Sequence, residues 1–363
     1  MKIGILGGGQ LARMMALAGH QLGFNFITLD PNQDACAASV SQHLCSDYQD
    51  NIALQQLANE SDVVTYEFEN IPAESTELIE NIATLFPGQT ALTSAQDRLT
   101  EKSLFRELGI DTPDFANITS LDDIKQNVVT MGLPTVIKTR SEGYDGKGQY
   151  VLKKPEDINA AWQALNGTPA IIEAFVPFDR EISIIAVRNT QGETCFYPIN
   201  ENTHESGILK QTIVQTNDPM QALAEDYAQR LLDRLNYVGV MALELFQAGD
   251  KLLANEYAPR VHNTGHWTMD GAQTSQFENH LRAILGLPLG STTAIGHTAM
   301  LNIIGQAPAA KDILNFSNAH LHLYDKAPRP GRKIGHINLR CDDPQQFEQQ
   351  LAALTKLVNQ NNC

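Results

Sequence analysis

Residues 138–154 read KTRSEGYDGKGQYVLKK, a glycine-rich turn between two β-type runs. Gly143, Gly146 and Gly148 punctuate it; Lys138 ends the first run and Lys147 sits inside the turn. The backbone N–H groups of such a loop can fold over polyphosphate oxygens while lysines neutralise charge. The pattern G-x-x-x-x-G-K-[ST] is absent, and no helix follows directly. A strand–lid–strand unit is therefore expected, although a flexible hairpin with solvated lysines fits the same residues.

β-type runs extend on both sides of this turn: PTVIKTR (134–140), PAIIEAFV (169–176), EISIIAVR (181–188) and ETCFYPIN (193–200). Upstream, residues 93–108 predict one helix with a Thr/Ser start and Gly109 as its stop. Downstream, 221–237 predict a helix, and GVMALELFQAGDKLLANEYAPR (239–260) predicts a hairpin around Gly249-Asp250.

The chain begins differently, with KIGILGGGQLARMMALAGHQLGFNFITLD (2–30). Gly7, Gly9 and Ala12 fit G-x-G-x-x-G/A after a strand, and Asp30 stands where a ribose-binding acid belongs. Taken alone this is a dinucleotide fingerprint, implying an NAD-dependent oxidoreductase. A second mononucleotide-binding half is missing, and that reading leaves the lid without a purpose.

Composition narrows the classes. The 363 residues carry a net charge of −16, which argues against nucleic acid or an anionic membrane as the main partner. Five scattered cysteines without C-x-x-C suggest neither a zinc site nor a disulfide framework, and no signal peptide or membrane span is read, so a cytoplasmic protein is expected.

Further stretches carry chemistry. With a three-residue loop at 249–251, Glu244 would face Glu256 across the hairpin. Two carboxylates so placed repel, unless a hard cation such as Mg²⁺ lies between them. With a two-residue loop, Asn255 would face Glu244 instead. Arg260, His262, Asn263 and His266 then crowd one loop, NEYAPRVHNTGHWTMDGA (255–272). Lys326, Arg329, Arg332 and Lys333 crowd another, YDKAPRPGRKIGHI (324–337), where an anion-binding edge and a solvated basic turn both fit. Glu173 and Glu181 flank a short linker that could meet a purine and its ribose, or could simply face solvent.

The order of these parts resembles the ATP-grasp superfamily. GILGGGQLARM, YEFENIP, EAFVPFDREIS, YPINENTHESGIL, NEYAPRVHNTGHWT and YDKAPRPGRKIGHIN look like the N5-carboxyaminoimidazole ribonucleotide synthetase family over nearly the whole chain. Ala12, Thr264 and Asp325 depart from that family's usual Gly, Ser and Gly.

The resemblance implies an α/β chain, α+β overall. An N-terminal open parallel domain (1–95) would precede an ATP-grasp domain (96–290, lid 115–175) and a small β-rich C-terminal domain (291–363). It implies ATP and Mg²⁺ as cofactors, 5-aminoimidazole ribonucleotide and bicarbonate as substrates, and a homodimer. Arg98, Lys138, Gly143, Tyr144, Asp145, Gly146, Lys147, Gly148 and Gln149 would meet ATP phosphates. Glu173, Ala174, Phe175 and Val176 would hold adenine, with Glu181 on ribose and His204 nearby. Glu244 and Glu256 would bind Mg²⁺, with Asn255 beside them. Gln10, Leu11, Glu67, Tyr144, Lys326, Arg332 and Lys333 would hold the ribonucleotide. Arg260, His262 and Asn263 would cradle bicarbonate, and Asp145 would take the amine proton, making Asp145, Arg260 and Lys326 the catalytic candidates. A different ATP-grasp ligase is the nearest alternative.

Overall fold

The computed structural model of the chain describes residues 1–141, 143 and 148–361. Three sheets organise it. The first contains β1 (Lys2–Leu6), β2 (Asn25–Asp30), β3 (Gln42–Cys45) and β4 (Val63–Tyr66) in the order β3-β2-β1-β4, all parallel. Ile3, Ile5 and Leu6 are fully buried, as expected for a parallel strand covered on both faces. The helix Gln10–His20 turns Leu11, Met14 and Met15 into the core that holds Ile3 and Ile5.

The second sheet contains β5 (Phe115–Ile118), β6 (Thr135–Thr139), β7 (Gln149–Leu152) and β8 (Ala170–Ala174), antiparallel in the order β5-β8-β6-β7. Two helices unforeseen in the sequence, Leu121–Met131 and Asp157–Leu165, share its core. The first opens on a capping box between Ser120 and Asp123.

The third sheet holds β9 (Arg180–Arg188), β10 (Thr194–Phe196), β11 (Ile199–Glu205), β12 (Ile208–Gln215), β13 (Gly239–Ala248), β14 (Lys251–Ala258), β15 (His297–Ile304), β16 (Ala319–Leu323) and β17 (Lys333–Cys341). Its main path is β14-β13-β9-β11-β12-β15-β17-β16, with β10 paired to β9. The C-terminal strands thus continue the central sheet through β12–β15 pairing. Among the described residues, no helix is long and apolar enough to cross a membrane.

One expected helix is two. Residues 93–108 divide into Gln89–Ala95 and Arg98–Glu107 because Asp97 leaves helical geometry and its carboxylate accepts from Leu99 N and Thr100 N. The break places Arg98 at the start of a new helix. The departure at Asp325 also has a structural reading. Its φ of 61° is the left-handed region where glycine costs least and Asp is tolerated.

His280 ties the first sheet to the third. Val240 N donates to its Nδ1 at 3.1 Å, so Nε2 carries the proton toward Thr65 Oγ1 at 2.8 Å. Burial pushes its pKa down from 6.5 to about 3. The folded protein keeps this ring neutral while the unfolded chain protonates it. Its contribution is therefore complete above pH 6.5 and is lost as pH falls below that value. Between pH 7.5 and 5.5, His280 should account for about 1.4 kcal/mol of lost stability. Urea unfolding of His280→Gln at both pH values should show a pH-dependent loss smaller by that amount. An unchanged loss would mean that the ring is protonated in the fold.

Candidate active site

A cavity of about 690 Å³ lies where the three sheets meet. Its N-terminal wall answers the dinucleotide question. Gly8 N donates to Asp30 Oδ2 at 2.9 Å, and Gly9 N and Ala12 N both donate to the Glu67 carboxylate, the latter at 3.0 Å. Tyr48 Oη also donates to Asp30. The amides that would hold a pyrophosphate already hold the chain's own acids, and the acid meant for ribose is tied to the turn. A Cβ on Gly7, whose φ is +103°, would lie 2.4 Å from Glu67 Cγ. The glycines admit Glu67 rather than a cofactor. Gln10 and Leu11, next in the chain, face the cavity, and Lys326 Nζ donates to Gln10 Oε1.

The acid pair forms, by an unexpected route. The hairpin loop has two residues, because Ala248 pairs with Lys251. That register alone would bring Asn255 opposite Glu244. A β-bulge at Asn255 absorbs the extra residue and restores Glu244 opposite Glu256. Burial and the neighbouring Glu256 push the Glu244 carboxyl up to about 7. Burial opposes ionisation of Glu256 too, but Arg98, whose Nη1 donates to it at 2.8 Å, brings it down to about 2. An oxygen-only pair in the cavity wall, strained by its own repulsion, suits a hard divalent cation. Among the described residues, no group of three or more His, Cys, Asp or Glu is placed to hold a metal ion.

Beside this pair, Lys138 Nζ donates to Glu173 Oε2 at 2.8 Å and approaches Asn255 Oδ1 at 3.4 Å. The Glu173 side chain is buried and turned toward two lysines, and Ala174, Phe175 and Val176 follow it along the cavity wall. Phe175 is half exposed, and Phe178 stacks on Phe246 with centroids 4.9 Å apart and planes at 11°. Glu181 Oε2 lies 2.5 Å from His204 Nδ1. Burial lowers the His204 pKa, but the bond to Glu181 together with the charges of Glu244 and Glu181 outweighs it and the net shift is upward. Gly143 and Gln149 line the cavity. Tyr144, Asp145, Gly146 and Lys147 lie outside the described residues.

The loop after β14 divides in two. Arg260 Nη2 meets Glu69 Oε1 at 2.9 Å, and its Nε is buried with no partner among the described residues. His262 is pinned through its backbone by Gln276, and Nε2 lies 3.6 Å from Glu244. Burial and the charge of Arg260 hold it neutral, far below its ordinary pKa. Asn263 exchanges two amide hydrogen bonds with buried Asn302. His266 does not join the site. It packs against Phe277 and His336 in the interior. Of the basic loop, Lys333 lines the cavity and Lys326 reaches its Gln10 edge, whereas Arg332 lies outside the lining, with Nη1 on Ala327 O at 3.3 Å.

Comparison with known proteins now separates the alternatives. Residues 1–96 match a model described as the ribonucleotide synthetase preATP-grasp domain, 103–277 an ATP-grasp domain, and 298–350 a phosphoribosylaminoimidazole carboxylase C-terminal domain. The N5-carboxyaminoimidazole ribonucleotide synthase of Pseudomonas aeruginosa is 52% identical over 358 residues, covering 99% of both chains. The chain belongs to the N5-carboxyaminoimidazole ribonucleotide synthase family. The crystal structure of the Thermus thermophilus synthetase superposes with a TM-score of 0.94 at 49% identity, covering 98% of each chain. The Aspergillus clavatus synthase, solved with ADP and 5-aminoimidazole ribonucleotide, superposes at 0.91 with 30% identity over 99% of this chain and 98% of that one.

Within this synthase fold, several residues in or behind the cavity wall have no simple sequence signal. Lys102 and Glu101 look like ordinary polar positions on a helix, yet both are buried. Glu69 sits in the quoted YEFENIP but gains meaning only from Arg260. Asn302 lies in an apolar strand run, where a lone buried amide is the available hint.

Proposed function

We infer that this protein uses ATP to carboxylate the exocyclic amine of 5-aminoimidazole ribonucleotide with bicarbonate. The product is N5-carboxyaminoimidazole ribonucleotide, in purine biosynthesis. The observation that carries this reading is a single cavity joining the Glu244–Glu256 pair, Lys138, Arg260 and the Gln10–Lys326 edge. A site for phosphoryl transfer thereby adjoins one for a second small molecule.

In this scheme adenine lies against 174–176 and the Phe178–Phe246 stack, with ribose on Glu181 and His204. Lys138 and Arg98 meet the phosphates, and the 143–149 turn is our candidate lid. Glu244 and Glu256, with Asn255 beside them, would hold Mg²⁺, which when bound neutralises phosphate oxygens and aligns them for transfer. Arg260, neutral His262 and Asn263 cradle bicarbonate, whose oxygen attacks the γ-phosphorus as the bond to ADP breaks. The amine nitrogen then attacks the carboxyl carbon of carboxyphosphate, phosphate departs, and the amine loses a proton, for which Asp145 is our candidate acceptor. Gln10, Leu11, Lys326 and Lys333 hold the ribonucleotide, while Glu67 shapes that wall through the glycine turn. Water exclusion protects the intermediate. Boundaries near 95/96 and 290/291 fit this division of labour, and we propose a cytoplasmic homodimer.

The attacking oxygen stays on phosphorus. ¹⁸O-bicarbonate with Mg²⁺, ATP and the ribonucleotide should therefore place one label in released phosphate, and ADP release should depend on the ribonucleotide. Promptly sampled, unlabelled phosphate would exclude carboxyphosphate. ADP release independent of the ribonucleotide would indicate another acceptor.

A further inference from the structure

Lys102 has no part in the scheme above, yet it is fully buried beside it. Its Nζ donates to Ala254 O at 3.1 Å and lies 3.6 Å from Glu173 Oε1. The other oxygen of the same carboxylate holds Lys138 at 2.8 Å. One buried carboxylate thus faces two ammonium groups. Lys138 lines the cavity, and Lys102 does not.

The asymmetry has a consequence for nucleotide binding. If Lys138 were the sole counter-ion of Glu173, drawing its charge toward a phosphate would strand a buried carboxylate. With Lys102 on the far oxygen, Glu173 keeps a counter-charge whatever Lys138 does. The Ala254 carbonyl fixes Lys102 in turn, one residue before the bulge at Asn255.

We propose that Lys102 is a positioning residue that neutralises and orients Glu173, so that Lys138 is released to pair with the phosphates of ATP. This rests on the reading that Lys138 meets those phosphates.

The test is a charge cycle on the full chain, read as equilibrium affinity for ATP with Mg²⁺. The wild-type trio carries one excess positive charge. Lys102→Met removes it, leaving Lys138 locked to Glu173, and ATP affinity should fall about 10-fold. Adding Glu173→Gln restores the excess charge and frees Lys138, so Lys102→Met/Glu173→Gln should return to within about 3-fold of wild type. A purely structural lysine would give the opposite result, because the second substitution would compound the first. Lys102→Gln keeps a donor for Ala254 O without the charge. It should match the loss in Lys102→Met, and it serves as the single variant if the methionine form does not fold.

Lys138→Met is the control for the underlying reading. Weaker ATP binding in Lys138→Met, with Lys102→Met and Lys102→Gln both at wild-type affinity, would overturn the role of Lys102 alone. A double variant weaker than Lys102→Met would overturn it as well. A wild type that bound no ATP, or a Lys138→Met variant of unchanged affinity, would overturn the functional reading and this inference with it.

Discussion

Glu244→Gln is expected to lower ADP formation by about 10³-fold or more while making the metal-free protein more stable. Both effects come from one arrangement. Glu244 and Glu256 face each other across the β13–β14 ladder, both in the cavity wall. Directly opposed like charges in a sheet cost about 0.2–1 kcal/mol. Arg98 offsets this for Glu256, whereas Glu244 is left with a carboxyl pushed up to about 7, first by burial and then by Glu256. At pH 8 the glutamine variant should therefore unfold about 1 kcal/mol later than wild type in the absence of divalent cation. Activity should move the other way, because an amide is a poor ligand for a hard cation and the charge on the transferring phosphoryl group would lose its main partner. Glu256→Gln should be equally inactive but should lose stability, since it leaves the largely buried Arg98 guanidinium without the carboxylate it donates to at 2.8 Å. Opposite stability shifts with a shared loss of turnover would identify the pair as a metal site held together against its own repulsion. Normal turnover in either variant, at ordinary Mg²⁺, would end that assignment.

The acid pair also marks how far the sequence could be read. Its two members were legible because charged residues interrupt otherwise apolar strands near a Gly-Asp turn. The bulge was not, because one extra residue leaves no trace in composition and is decided by what the neighbouring side chains need. β6, β8, β9, β13 and β14 follow their apolar runs, since burial on a sheet leaves a period that survives in the sequence, whereas β5, β12 and β17 were not legible there and β17 begins within a stretch read as a loop. The helix over 93–108 failed at Asp97, where a side-chain cap competes with helical propensity. The glycine turn was legible as a turn but not as to its occupant. Glu67 lies 58 residues from Gly9 in sequence, and only the β1–β4 pairing brings its carboxylate onto those amides. Lys102 was illegible for a related reason: a lysine on a helix reads as solvated until its counter-ion, 71 positions away, folds against it.

Arg260→Met is expected to cut turnover about 10²–10³-fold while leaving ATP affinity within about 3-fold of wild type. The guanidinium is held by Glu69 through Nη2 and by its own loop through Nη1 on Val261 O at 3.1 Å. Its Nε is a buried donor with no partner among the described residues. A buried donor left open in this way is costly unless a ligand completes it. In the proposed scheme the ligand is the planar oxyanion that becomes carboxyphosphate, which a planar fork of N–H groups suits better than a point charge. Lys should therefore substitute poorly, and Arg260→Lys should retain no more than a few per cent of turnover. Glu69→Gln keeps an acceptor for Nη2 and loses only the charge, so its loss should be nearer 10-fold. The bicarbonate concentration giving half-maximal ADP release should rise in all three variants, most in Arg260→Met. ATP affinity, set by Lys138, Arg98 and the 174–176 segment, should not follow it. An Arg260→Met enzyme with normal turnover and normal bicarbonate dependence would remove Arg260 from the reaction and return the orphaned Nε to a purely structural role.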